Sequence, residues 1–98
     1  MDKINEQELA QLANYFKAMG DPTRLKVLRL LSAGRYNVGE LAQQCHYSSA
    51  NISRHLSVLR QQGLITRHTE GTSVYYQLTN DVPARLCELV SQRLGSSL

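Results

Sequence analysis

The stretch SSANISRHLSVLRQQGLITRHTEGTSVYYQL, residues 48–78, changes rhythm at its centre. In its first half Ile52, Leu56 and Leu59 recur at helical spacing, and Ser48 or Ser49 stands where a helix cap belongs. The spacing predicts a helix running to about Gln62, with Gly63 as a left-handed terminator. The second half alternates: LITRH and SVYYQL flank TEGT, which reads as two strands joined by a turn. A helix that feeds a hairpin is the element whose neighbours decide the fold.

Immediately upstream, NVGELAQQC places Asn37 three residues before Glu40, a reciprocal capping pair at the start of a helix of about two turns. HYSSAN breaks that helix before the longer one begins. Together they make a helix-turn-helix over 37–62, and the hairpin over 64–78 is its wing. Further out, GDPTRLKVLRLLSAG offers Asp21 as cap, Pro22 at the first helical position and Gly34 as terminator. Leu25, Leu28, Val27 and Leu31 are expected to face inward there, with Arg24, Lys26 and Arg29 on a solvated face; Arg24 also has the option of an internal ion pair. Leu9, Leu12, Ala13, Phe16 and Met19 make residues 5–19 an amphipathic helix, and Leu86, Leu89, Val90 and Leu94 do the same for 80–94, with Pro83 in the first turn. GSSL reads as a frayed end. The predicted fold is mainly α with a small β-hairpin: four helices, two strands and a fifth helix, a winged helix-turn-helix in a single domain over 1–98.

Ninety-eight residues suit one small module with a modest core, and 42% apolar with 19% charged residues argues against a disordered chain. The net charge of +3 is small, but its distribution is uneven. The eight carboxylates fall at Asp2, Glu6, Glu8, Asp21, Glu40, Glu70, Asp81 and Glu88, so Leu41 through Thr69 has none while carrying Arg54, Arg60 and Arg67. That is how a local anion-binding face looks in sequence. MDKINEQELAQLANYF has acids and amides where a signal peptide needs an apolar run, and nothing approaches a membrane span, so a cytoplasmic protein is expected. No nucleophile with a partnered base and no C-x-x-C pair is present, which argues against an enzyme.

With Ile52 inward, helical geometry turns Ala50, Arg54, Ser57 and Gln61 outward and sets Asn51 and Ser53 on the shoulders. Arg can bridge guanine O6 and N7, Asn can bridge adenine N6 and N7, and Ser adapts to either. The positive end of the helix favours a phosphate near Ser48 and Ser49. Double-stranded DNA is therefore the expected partner, through Ser48, Ser49, Asn51, Ser53, Arg54, His55 and Ser57 on the helix and Arg67 and Thr72 on the wing. His55 follows Arg54 and points between core and surface. His46, His55 and His68 share no ligand spacing and read as surface or DNA-side groups, so neither a metal site nor a cofactor is expected. Tyr75 and Tyr76 alternate, one packing inward and one bracing the wing.

AMGDPTRLKVLRLL, VGELAQQC, SSANISRHLSVLRQQGLI and EGTSVYYQL stand in the order and spacing of the ArsR/SmtB family of bacterial repressors, which the chain resembles over roughly Leu9 to Leu94. The resemblance implies a homodimer built on the first and last helices, binding an imperfect inverted repeat in a promoter and released by an inducer that the sequence leaves unknown. The departures matter too. Members that sense arsenic or cadmium carry C-V-C-D-L where this chain has Asn37-Val38-Gly39-Glu40-Leu41. Zinc-sensing members place Asp, His, His and Glu where this chain has Asn80, Val82, Arg93 and Ser96. Both usual metal sites lack the thiolate, imidazole or carboxylate ligands they need. Some members respond through paired thiols, so Cys45 and Cys87 offer an alternative redox or reactive-sulfur switch, with Cys45 favoured because His46 beside it can stabilise thiolate. The plain reading of both is a small buried apolar residue. A winged-helix protein-interaction module is the remaining alternative, disfavoured by the acid-free stretch.

Overall fold

A computed structural model describes residues 3–95. Five helices and one hairpin follow in the order α1 (Glu6–Met19), α2 (Pro22–Ala33), α3 (Val38–Cys45), α4 (Ser49–Gln61), β1 (Ile65–Glu70), β2 (Ser73–Leu78) and α5 (Val82–Leu94). Local chemistry sets most of these boundaries. The Asp21 carboxylate accepts from the backbone N–H groups of Thr23 at 2.9 Å and Arg24 at 3.1 Å, so α2 begins at Pro22, whose missing N–H costs nothing there. The expected reciprocal cap of α3 is present. Asn37 Oδ1 accepts from Glu40 N at 2.8 Å, and Glu40 Oε1 accepts from Asn37 N at 2.9 Å.

The core is one cluster. Val27, Leu28 and Leu31 of α2, Leu41 and Ala42 of α3, and Ile52, Leu56 and Leu59 of α4 pack with Leu64, Ile65 and Tyr76 at the base of the hairpin and with Ala18 and Met19 at the end of α1. Leu25 departs from expectation: it is 39% exposed, while Val27 is fully buried. Along α2 the face that meets α3 and α4 runs through 27, 28 and 31, and Leu25 lies on the opposite flank. There it lines an apolar cavity of about 360 Å³ between α2 and α5, together with Pro22, Leu28, Ala84 and Cys87.

The two strands pair antiparallel from Ile65 opposite Leu78 to Glu70 opposite Ser73. Thr69 and Glu70, expected in the turn, therefore extend the ladder, and the turn is only Gly71-Thr72. Gly71 has φ +60° with no positive φ at Thr72, the backbone pattern of a type II′ hairpin turn, whose twist matches that of the strands. Tyr36 pairs with the other edge of β2, its N–H donating to Tyr76 O at 3.2 Å and its carbonyl accepting from Tyr76 N at 2.8 Å. This clamps the wing's base to the loop before α3.

On α1 only Ala18 and Met19 are buried, and Leu9, Leu12 and Phe16 are exposed. On α5, Leu89, Val90 and Leu94 are exposed as well. The apolar stripes found in the sequence are real, but this domain's own core does not cover them.

Candidate nucleic-acid interface

The turn between α3 and α4 is a tight Schellman-type closure. Tyr47 N donates to Ala42 O at 3.0 Å and His46 N to Gln43 O at 3.4 Å, with His46 left-handed at φ +57°. Two residues later Ser48 caps α4, its hydroxyl accepting from Asn51 N at 3.1 Å. The chain thus reverses in three residues, and α4 crosses the front of the domain.

Ile52, Leu56 and Leu59 anchor α4 in the core, which leaves Ser49, Ala50, Ser53, Arg54, Ser57, Arg60 and Gln61 exposed and Asn51 half-buried on the shoulder. Arg54 donates from Nη2 to Asn51 Oδ1 one turn back. Those two side chains, separate in the sequence reading, form one unit. On the wing Arg67 and Thr72 are exposed. Strand periodicity puts Arg67 and Thr69 on the face that carries buried Ile65 and Tyr76, and Glu70 on the other. The acid-free character of α4 therefore continues on the core-side face of the hairpin.

Glu70 is neutralised by a residue the sequence reading passed over. Arg35 donates to its carboxylate and lies over the Tyr75 ring, 4.3 Å from the centroid. The Arg35 guanidinium holds the Glu70 carboxyl below its usual value. Arg35 lies 35 positions from Glu70, so the pair leaves no local signal in the sequence. Tyr76 is the buried tyrosine and Tyr75 the bracing one, as alternation predicts.

His55 is built in rather than displayed. Its Nδ1 accepts from Arg24 Nη1 at 3.2 Å, lies 3.9 Å from Asp21 Oδ2, and its ring stacks parallel to Tyr47 at 6.3 Å between centroids. Arg24 is accordingly no part of a solvated face. Instead of a simple ion pair it donates to two backbone carbonyls, Ala18 O at 2.6 Å and Lys17 O at 3.1 Å.

Asn37 and Gly39, at the first of the usual metal positions, serve α3 itself: Asn37 is its cap. Among the described residues no three His, Cys, Asp or Glu side chains gather closely enough to hold a metal. Ser96 lies outside the described residues, as does most of the GSSL tail. Cys45 and Cys87 are free and half-buried, and burial pushes both thiols up from their ordinary value. The expectation that His46 favours thiolate at Cys45 is overturned. Cys45 ends α3, where the negative end of the helix dipole adds to the cost of a second negative charge.

The profile of the family described as bacterial regulatory protein, arsR family, matches residues 21–67. The transcriptional repressor SdpR of Bacillus subtilis is 42% identical over 69 residues, 70% of this chain and 77% of its own length. The crystal structure of NolR from Sinorhizobium fredii superposes with a TM-score of 0.86 at 28% identity, covering 99% of this chain and 100% of that one. A homodimeric winged helix-turn-helix DNA-binding domain from Mycobacterium bovis, solved in solution, gives 0.83 at 30% identity over 97% of this chain and 91% of its own.

Proposed function

The chain belongs to the arsR family of bacterial regulatory proteins, and on that premise we propose that it represses transcription as a cytoplasmic homodimer bound to an inverted-repeat operator. It is a DNA-binding regulator and not an enzyme. Each protomer lays α4 in a major groove and its wing on the flanking backbone or minor groove. Ser48 and Ser49 meet phosphate at the helix N-terminus, Asn51, Ser53, Arg54 and Ser57 address base edges, and Arg67 and Thr72 hold the duplex beside the groove. With Nδ1 of His55 occupied by Arg24, the proton of the neutral ring stands on Nε2, which is free to donate to phosphate.

The observation that carries this reading is the exposed, acid-free surface shared by α4 and the core-side face of the hairpin, with Arg54, Arg60 and Arg67 on it. Dimerisation follows from the second surface. Leu9, Leu12 and Phe16 on α1 and Leu89, Val90 and Leu94 on α5 are exposed together, and a two-fold operator calls for a two-fold reader. Exposed Leu25 lines the apolar cavity between α2 and α5 with Ala84 and Cys87.

The test is selection of bound fragments from the source genome, followed by titration of the recovered duplex against salt. Recovery of an inverted repeat, with log K falling steeply and linearly against log salt concentration, is the expected result. Binding with no sequence preference, or with no salt dependence, would refute the proposal.

A further inference from the structure

α1 ends at Met19, so the carbonyl of buried Ala18, in its last turn, has no intrahelical N–H to receive. Arg24 supplies the donor. One guanidinium thereby holds two carbonyls in the last turn of α1 and, with its third arm, Nδ1 of His55 on α4. Asp21 caps α2 and faces the same imidazole nitrogen, and Tyr47, stacked on the ring, fixes its plane. Ala18 and Met19 are the only residues α1 buries, and apolar packing at one end of a helix resists sliding better than rotation. The directional bonds of Arg24 restrain that rotation.

We infer that Arg24 and His55 form the joint that sets the angle between α1 and α4, and through it the half-site spacing the dimer recognises. The inference rests on the proposed dimeric reading of DNA, with α1 in the interface. Arg24 is a positioning residue: it touches no base, and it acts through His55. The lever is long enough to matter. Thirteen residues of α4 span about 20 Å, so a rotation of about 10° at one end moves the other by about 3 Å, roughly one base-pair step. A lysine in place of Arg24 keeps the charge but lacks the planar fork that reaches three acceptors at once.

The experiment compares binding to duplexes in which the two half-sites are separated by the native interval and by one or two base pairs more or less. The wild-type protein should prefer one spacing sharply. Arg24→Lys, shown by sedimentation and circular dichroism to remain a folded dimer, should lose about tenfold at that spacing, the worth of one hydrogen bond to a charged group, and much less at the others. Both His55 variants lose the Nε2 contact to phosphate and should weaken binding at every spacing; His55→Asn, whose amide oxygen stands where Nδ1 did, should still prefer one spacing sharply, whereas His55→Leu should also lose that preference. For Arg24→Lys, equal loss at every spacing, or no loss, overturns the inference. A second readout needs no DNA: ¹⁵N NMR should show His55 unprotonated at Nδ1 when neutral, with a resonance that shifts in Arg24→Lys. A neutral ring protonated at Nδ1, or a resonance indifferent to that substitution, removes the joint. Failure of the wild type to bind any duplex refutes the DNA-reading proposal instead, and is told apart by an intact NMR signature.

Discussion

Replacing Leu89 by alanine should weaken the dimer about thirtyfold while leaving the protomer folded. Leu89 lies on α5 and is 61% exposed in the single chain. Complete burial of a leucine is worth about 1.5–3 kcal/mol, so covering its exposed part yields about 1–2 kcal/mol, of which alanine's methyl retains a share. The net loss is about 1 kcal/mol per protomer. Two-fold symmetry counts it twice, and about 2 kcal/mol corresponds to about thirtyfold in the dissociation constant. Sedimentation equilibrium over a concentration series measures this directly, and far-UV circular dichroism checks the fold. A change in the midpoint of thermal unfolding with protein concentration, smaller in the variant, is the companion signature. A wild-type protein that sediments as a monomer at micromolar concentration would refute the two-fold reader. An unchanged constant in a dimeric Leu89→Ala would place the interface away from α5.

Arg67→Ala should weaken binding to operator and scrambled duplex alike and lower the salt slope by about one unit, whereas Asn51→Ala should cost about 1–3 kcal/mol on the operator alone. Because Arg54 is tied to Asn51, the double variant should lose less than the sum of the single losses on the operator; strict additivity would mean the pair does not act as one unit on DNA. The backbone N–H of Arg24, and then the guanidinium charge of Arg24 and the backbone N–H of Thr23, hold the Asp21 carboxyl below its ordinary value, so its stabilisation is present above the unfolded carboxylate pKa of about 3.9 and is lost as pH falls through the lower folded value. Asp21→Asn should flatten the acid side of a melting-temperature curve, and curves that stay parallel to the wild type would deny the linkage. Stoichiometric zinc, cadmium or arsenite should leave the operator complex intact, because Asn37, Gly39, Asn80, Val82 and Arg93 offer no thiolate, imidazole or carboxylate; metal-induced release in a fluorescence anisotropy titration would reveal a ligand set elsewhere. With both thiols raised by burial, alkylation of Cys45 and Cys87 at neutral pH should be slow, and rapid labelling seen by mass spectrometry would restore the thiol switch.

Features governed by interactions within a few residues were legible in the sequence. Asp21 before Pro22, Asn37 three residues before Glu40, and Ser48 ahead of the Ile52-Leu56-Leu59 period determine where helices begin and which face they bury, because capping and periodicity act over one or two turns. The acid-free run from Leu41 to Thr69 marked the outward surface for the same reason: a helix and a hairpin adjacent in the chain are adjacent in space. Tertiary structure alone decided the rest. Arg35 meets Glu70 across 35 positions, and Arg24 meets His55 across 31, so neither pair leaves a local pattern. Leu25 looked like core because helical spacing reports that a stripe is apolar and not what covers it, and the buried stripe of α2 proved to be its neighbour. Cys45 followed the same logic: His46 beside it in sequence suggested thiolate, whereas burial, which depends on how the helices pack, raises its thiol and that of Cys87 alike.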